Sequence, residues 1–467
     1  MKYEHMRLAL VVSAAFALLM GHAGAAIAEV DDGGPWRLGK EANLPSWLTI
    51  GLNHRTRFEH LANQFRVVAG DDATAVSMRT LLSAKLSTES VIAELELQDS
   101  RAFASADTPL KTSHINALSI LQAYVGLRRP NLFVAGDQGE LKIGRMTVDV
   151  GTRRLVARNG YRNTINGFAG ADARWTSPAR HVARVFTLVP VTRLPSDPDA
   201  IRSNDIELDE ENFDTLFWGA LYRSPALLAG TQFELLVMGL HERDGDIASR
   251  NRQLLSPGAR AFRKPSAGEP DYSIEIVVQL GSSRASKADE DTEDLDHRAL
   301  FVHAETGYSI EAPWAPRIAL QYDYASGDGE PDDETNGRFD TLFGPGRPDF
   351  GPTGLYSAFA RSNLNSPALR VQAKPAASVT SFLCYRLFWL ASDTDAWTTT
   401  GLRDSTGSSG SFLGQQLEAR VRWNVFPKNV RVEMGGAYLA RGGFAKDVED
   451  GSDDPALFFY SQVSGSI

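Results

Sequence analysis

Leu417-Glu418-Ala419-Arg420-Val421-Arg422-Trp423-Asn424, followed after a short turn by Val430-Arg431-Val432-Glu433-Met434, decides the fold. Apolar and polar residues alternate strictly, so Leu417, Ala419, Val421 and Trp423 share one face. Glu418, Arg420, Arg422 and Asn424 share the other. A two-residue period is that of a β-strand, and two such runs across a short turn read as a hairpin.

The pattern recurs outward along the chain. Leu48–Glu59 sets Leu48, Ile50, Leu52 and Phe58 against Thr49, Asn53, Arg55, Arg57 and Glu59. Ala93–Gln98 opposes Ala93, Leu95 and Leu97 to Glu94, Glu96 and Gln98. Tyr272–Leu280 and Arg317–Tyr324 repeat it. About seventeen such segments are legible, with none between 242 and 271. A soluble sandwich and a membrane barrel both produce clean alternation. Pairs of long charges on the polar faces favour the barrel, as do aromatics such as Phe58, Tyr324, Trp423 and Tyr438 closing the apolar ones. So does the contrast between short turns and long acidic loops at Asp197–Asn212, Ser282–Asp296 and Gly327–Gly337. The expectation is all-β: one transmembrane antiparallel barrel of 16–18 strands, 18 favoured, with short periplasmic turns, long acidic outer loops and an aqueous lumen.

Composition agrees. The 467 residues are 43% hydrophobic, enough for a folded chain, and a net charge of −10 argues against duplex nucleic acid as a partner. The single cysteine, Cys384, excludes an intrachain disulfide and a cysteine-built zinc site. Lys2 and Arg7, the apolar run Leu8–Met20 and Ala26-Ile27-Ala28 read as a cleavable signal peptide over 1–28. Residues 29–467 then form the barrel. Beyond the leader no apolar run reaches the ~18 residues of a helical span.

Ordered motifs add a family resemblance. Leu141-Lys142-Ile143-Gly144-Arg145, running through Gly151 to Arg153-Arg154-Leu155-Val156, resembles a signature of the alginate-export family of outer-membrane barrels. Ala93–Arg101 and Gln122-Ala123-Tyr124-Val125 are similar to its early strands. Phe339-Asp340-Thr341-Leu342-Phe343 with Phe350-Gly351 and Asn363-Leu364 is similar to a later stretch, although Thr341 stands where a proline-like residue is expected. Leu413–Glu418 and Gly435-Gly436-Ala437-Tyr438 are similar to its penultimate hairpin. The carboxyl end lacks the terminal aromatic usual in such barrels. The resemblance implies a barrel of roughly eighteen strands passing anionic polysaccharide through an arginine-rich constriction.

A carboxylate polymer needs fixed positive charge along its path, and arginine grips carboxylates with a rigid fork. Alternation places Arg55, Arg57, Arg79, Arg174, Arg317, Arg420, Arg422 and Arg431 on the polar face, together with Glu59 and Asp149. Arg145, Arg153 and Arg154 join them as lumen candidates, although Arg145 shares its phase with Leu141 and Ile143 and so requires a rim position or a bulge. Arg153 and Arg154 lie on opposite phases. Arginine-biased constriction and structural charge ladders between strands remain alternative readings of these residues. His241 and His303 have no partner His at ligand spacing, so no metal and no cofactor is expected.

The resulting expectation is a non-enzymatic outer-membrane channel of a Gram-negative bacterium, monomeric, for an alginate-like polysaccharide or oligosaccharide. Outer-membrane lipid and periplasmic export proteins are the expected partners. A general small-solute porin of the same fold and a secreted carbohydrate-active enzyme are the alternatives.

Overall fold

A computed structural model describes residues 36–67, 70–245, 248–330, 332–426 and 428–467. The expected signal peptide, 1–28, lies outside the described residues. Eighteen antiparallel strands form the wall. The first six are β1 (Leu48–Ala62), β2 (Ala73–Ser87), β3 (Val91–Ala104), β4 (Asn116–Pro130), β5 (Gln138–Met146) and β6 (Phe168–Thr176). Next come β7 (Val182–Thr192), β8 (Thr215–Arg223), β9 (Gln232–Glu242), β10 (Gln253–Arg263), β11 (Pro270–Ser283) and β12 (Leu295–Ser309). The last are β13 (Arg317–Ala325), β14 (Leu364–Ala376), β15 (Val379–Trp389), β16 (Phe412–Phe426), β17 (Val430–Arg441) and β18 (Ala456–Ser466). Each strand pairs with its neighbours in sequence, and β18 pairs back onto β1 from Asn53↔Ser466 to Ala62↔Leu457. The sheet is a closed cylinder, its first and last strands joined to each other rather than left as edges.

Burial settles the choice between sandwich and barrel. Outward apolar side chains are open: Val125 is 63% exposed, Leu127 62% and Leu320 59%. Their polar neighbours are sealed inside, with Arg57 1% exposed, Glu275 2% and Gln279 0%. Such a surface is stable only against hydrocarbon, where the closed ladder satisfies every backbone group.

The seventeen expected strands are all present. The missed one is β10, where Pro257-Gly258 interrupts the alternation. Proline cannot donate to a ladder and argues against a central strand, and the β10–β11 register skips Ser256 and Pro257. Connections alternate between rims. One rim carries tight turns such as 88–90 and 177–181, and the other carries 147–167, 193–214, 326–363 and 390–411.

The bore itself differs from the open lumen expected. The 147–167 and 326–363 connections fold into it. Val148, Val150, Leu155, Phe339, Phe350, Tyr356 and Phe359 from these loops pack on the wall residues Phe217, Phe301, Phe388 and Phe458. Toward the long-loop rim the wall is therefore apolar on both faces, outward to lipid and inward to a dry core.

Strand β5 was expected to reach 150 but stops at Met146. Gly144 and Gly170 face each other at its inward departure, with φ of +130° and +150°. A Cβ on Gly144 would lie 2.4 Å from the Ala123 carbonyl oxygen, and one on Gly170 2.2 Å from that of Thr187, so only glycine fits.

Candidate functional site

Closure of the cylinder brings the two ends of the sequence together, and with them most of the predicted lumen residues. Arg422, Glu433, Gln462 and Arg57 are cross-strand partners in one row over β16, β17, β18 and β1. The next row runs Asn424, Arg431, Ser464, Arg55, Arg79, Ser100. On the other side a third row runs Phe382, Arg420, Gly435, Tyr460, Glu59. One sector of wall thus holds Arg55, Arg57, Arg79, Arg420, Arg422 and Arg431 against Glu59, Glu433 and, on β16, the buried Glu418.

Their partners differ. Arg422 grips Glu433 with Nε at 2.7 Å and Nη2 at 2.6 Å. Arg431 donates to Asn424 at 2.9 Å. Arg420 lies 4.7 Å from the Phe382 ring, and Arg370 of β14 4.5 Å from the same ring. Among the described residues no carboxylate pairs with Arg420 or Arg370. Arg55, Arg57 and Arg79 are buried and hold the 147–167 loop: Arg55 donates to the carbonyls of Gly160, Tyr161 and Arg162, Arg57 to that of Tyr161, and Arg79 to that of Arg162. Glu59 sits 3.9 Å from Arg57.

Asp149, Arg153 and Arg154 are not wall residues, because the chain has already turned inward. Asp149 caps the backbone N–H of Arg158 at 2.8 Å. Arg153 is exposed with φ +67°. Arg154 is the hub of a buried network, with Nη1 2.8 Å from Glu275, Nε 2.9 Å from Asp349 and Nη2 2.9 Å from His303 Nε2. Arg361 pairs with the same Asp349, and Arg386 holds Asp323 at 2.9 Å. His303, Asp323 and Asp349 bring potential ligand atoms within 4.8 Å of one another. Arg154, Arg361 and Arg386 occupy that neighbourhood instead, and the network staples both inward loops to β11, β12, β13 and β15.

Arg145 is a correction. Its register partners Ala123 and Ala169 belong to the outer face, so its guanidinium does not line the bore. β5 pairs with β4 only from Ala123 to Pro130, which leaves Asn116–Gln122 without a strand on that side. Arg145 fills the gap, pairing with Glu211 at 2.7 Å and donating to the carbonyls of Ile120 and Asp209. The Asp209 carboxylate in turn accepts from Asn116 and Ser119. The apolar side chains of Ile206, Leu208 and Phe213 on this segment are exposed.

Near the short-turn rim a cavity of about 400 Å³ is lined by Arg180, Arg223, Arg260, Arg263 and Lys264 with Asp271 and Glu305. Arg317 engages both of these acids, Arg223 holds Glu234, and Arg263 pairs with Glu269. Arg260 donates to the Ser273 hydroxyl and stacks 3.9 Å from the Phe262 ring. It has no carboxylate partner among the described residues, and neither has Arg174, which is exposed on β6. Arg260 escaped the sequence reading because it lies on the unrecognised β10. Arg347 and Arg361 escaped because loops carry no period.

The family described as alginate export matches residues 46–458. No curated protein matches the chain. Solved structures share the fold. Pseudomonas aeruginosa OccK2 (OpdF), solved in complex with glucuronate, is 15% identical with a TM-score of 0.57, over 90% of this chain and 98% of that one. Pseudomonas aeruginosa OpdK with vanillate is 14% identical with a TM-score of 0.54, over the same shares.

Proposed function

The chain belongs to the alginate export family and is an outer-membrane β-barrel channel; from that premise we propose that it passes acidic saccharides, alginate-like oligomers among them, along arginines of its inner wall. The arginine excess of the β16–β2 sector carries this reading. Six guanidiniums there face three carboxylates, Glu59, Glu418 and Glu433, and among the described residues Arg420 forms an ion pair with none of them. Guanidiniums that are only loosely satisfied form weak, repeated sites for carboxylates, which permit passage where one tight site would trap the solute. The cavity at the short-turn rim adds Arg260 as a first stop of the same chemistry, and the glucuronate held by OccK2 supports an acidic sugar as the solute class.

A planar-bilayer recording tests it. Uronate oligomers are expected to block or carry current, with block weakened about tenfold by Arg420→Ala or Arg260→Ala. If no acidic saccharide affects the current, the proposal fails. The filling of the bore by two loops favours a second reading, a porin for small solutes. Equal passage of neutral and acidic monosaccharides would select it.

A further inference from the structure

Arg55 faces Arg79 directly across β1 and β2, and Arg57 stands one inward step along the same strand. All three are buried. Like charges opposed on one sheet face repel, and burial removes the water that would soften the repulsion. Yet nearly every acceptor around them is neutral. The Gly160, Tyr161 and Arg162 carbonyls take most of their N–H groups, with Asn163 Oδ1 at 3.1 Å from Arg55 and Gln462 Oε1 at 2.7 Å from Arg57. The Nε atoms of Arg55 and Arg79 are buried with no hydrogen-bond partner at all. Glu59, the nearby carboxylate, is 3.9 Å from Arg57 and leaves its own Oε1 without a hydrogen bond.

A carboxylate binds guanidinium through paired hydrogen bonds between two ionised groups, with a fork geometry and an opposite charge that a single neutral carbonyl lacks. We infer that residues 160–163 occupy a latent carboxylate site, and that the 147–167 loop is a self-inhibiting stopper which an acidic saccharide displaces by taking Arg55, Arg57 and Arg79 for itself. The backbone carbonyls imitate the acceptor groups of the solute at lower strength. The stopper therefore holds against water and neutral sugars and yields to carboxylates. This rests on the acidic-saccharide reading and adds that the solute opens its own path.

The test uses the full chain in lipid vesicles, with Cys384→Ser and Ala157→Cys. Ala157 is buried on the stopper, and its replacement by cysteine adds little volume. Reaction of that thiol with a water-soluble maleimide reports lifting of the loop, and current block by the same probe is recorded in parallel. A uronic acid hexamer is expected to raise the labelling rate about tenfold, while a neutral hexaose leaves it unchanged. Arg55→Gln with Arg79→Gln is expected to label fast without any saccharide. If the hexamer blocks current but leaves labelling unchanged, the channel reading stands and the stopper falls. If it does neither, both fall. Equal acceleration by the neutral hexaose removes the carboxylate site. Should the double variant fail to give the heat-dependent gel shift of a folded barrel, the unmodified arginines with the two hexamers decide the matter alone.

Discussion

Arg57 and Arg347 face each other across the ring of Tyr161, their guanidinium carbons 3.8 Å and 3.6 Å from its centroid. One cation belongs to the wall and the other to the 326–363 loop, while the ring belongs to the 147–167 loop. The two inward loops and the wall are thereby joined at a single aromatic face.

Tyr161 contributes its ring and not its hydroxyl, which is buried without a partner. Tyr161→Phe is therefore expected to change stability by less than about 0.5 kcal/mol. Tyr161→Ala removes the ring between two like charges and is expected to cost about 3–5 kcal/mol. Urea titration of the folded barrel, followed by tryptophan fluorescence, compares the two.

Arg154→Met leaves Glu275 and Asp349 short of a buried counter-charge. A loss of about 3–5 kcal/mol is expected. Adding Glu275→Gln to the same chain should restore part of it, because the stranded charge is then gone. Additive losses in this double-mutant cycle would show that the network is not coupled.

Arg145→Ala is expected to leave ion selectivity unchanged, since the side chain faces outward. Its effect falls on the 205–213 segment, which loses the Glu211 pair and the Asp209 carbonyl contact that tie it to the wall, a loss of about 1–3 kcal/mol. Chymotryptic cleavage at Phe213 should rise about tenfold or more in the variant. A change in selectivity with unchanged cleavage would return Arg145 to the bore.

His114, in the connection between β3 and β4, is fully buried, and burial pushes its imidazole down to about 4, helped by the charge of Arg66. Its carbonyl accepts from Asn163 of the stopper at 2.7 Å. The folded chain thus favours the neutral ring, whereas an unfolded His titrates near ~6.5. Stability from this site is complete above about pH 6.5 and is lost as pH falls toward about 4, by up to about 3 kcal/mol. Urea titration of the folded barrel at intervals between about pH 7 and about pH 4.5 reads it, and His114→Gln should flatten the profile.

The outward half of the wall was legible because the bilayer permits only apolar side chains there, so every second residue of each strand reports it. The phase of Arg145 was legible in part: it shares that of Leu141 and Ile143, so a place in the lumen required a rim position or a bulge, and the register instead sets it on the outer face. The inward half is harder to read. Phe217, Phe301, Phe388 and Phe458 look inward onto loop residues, which erases the polar–apolar contrast toward the long-loop rim. Hydrogen-bond partners such as Arg55 with Gly160, or Arg154 with Glu275, depend on loops that double back, and local spacing holds no trace of them.

The 147–167 loop is anchored at both ends, by Met146 in β5 and Phe168 in β6. Held by two hinges rather than one, it cannot leave the barrel, and its bulk stays at the long-loop end wherever it lies. Clearance is thereby set by where this segment lies, and not by the nominal diameter of an eighteen-stranded ring alone.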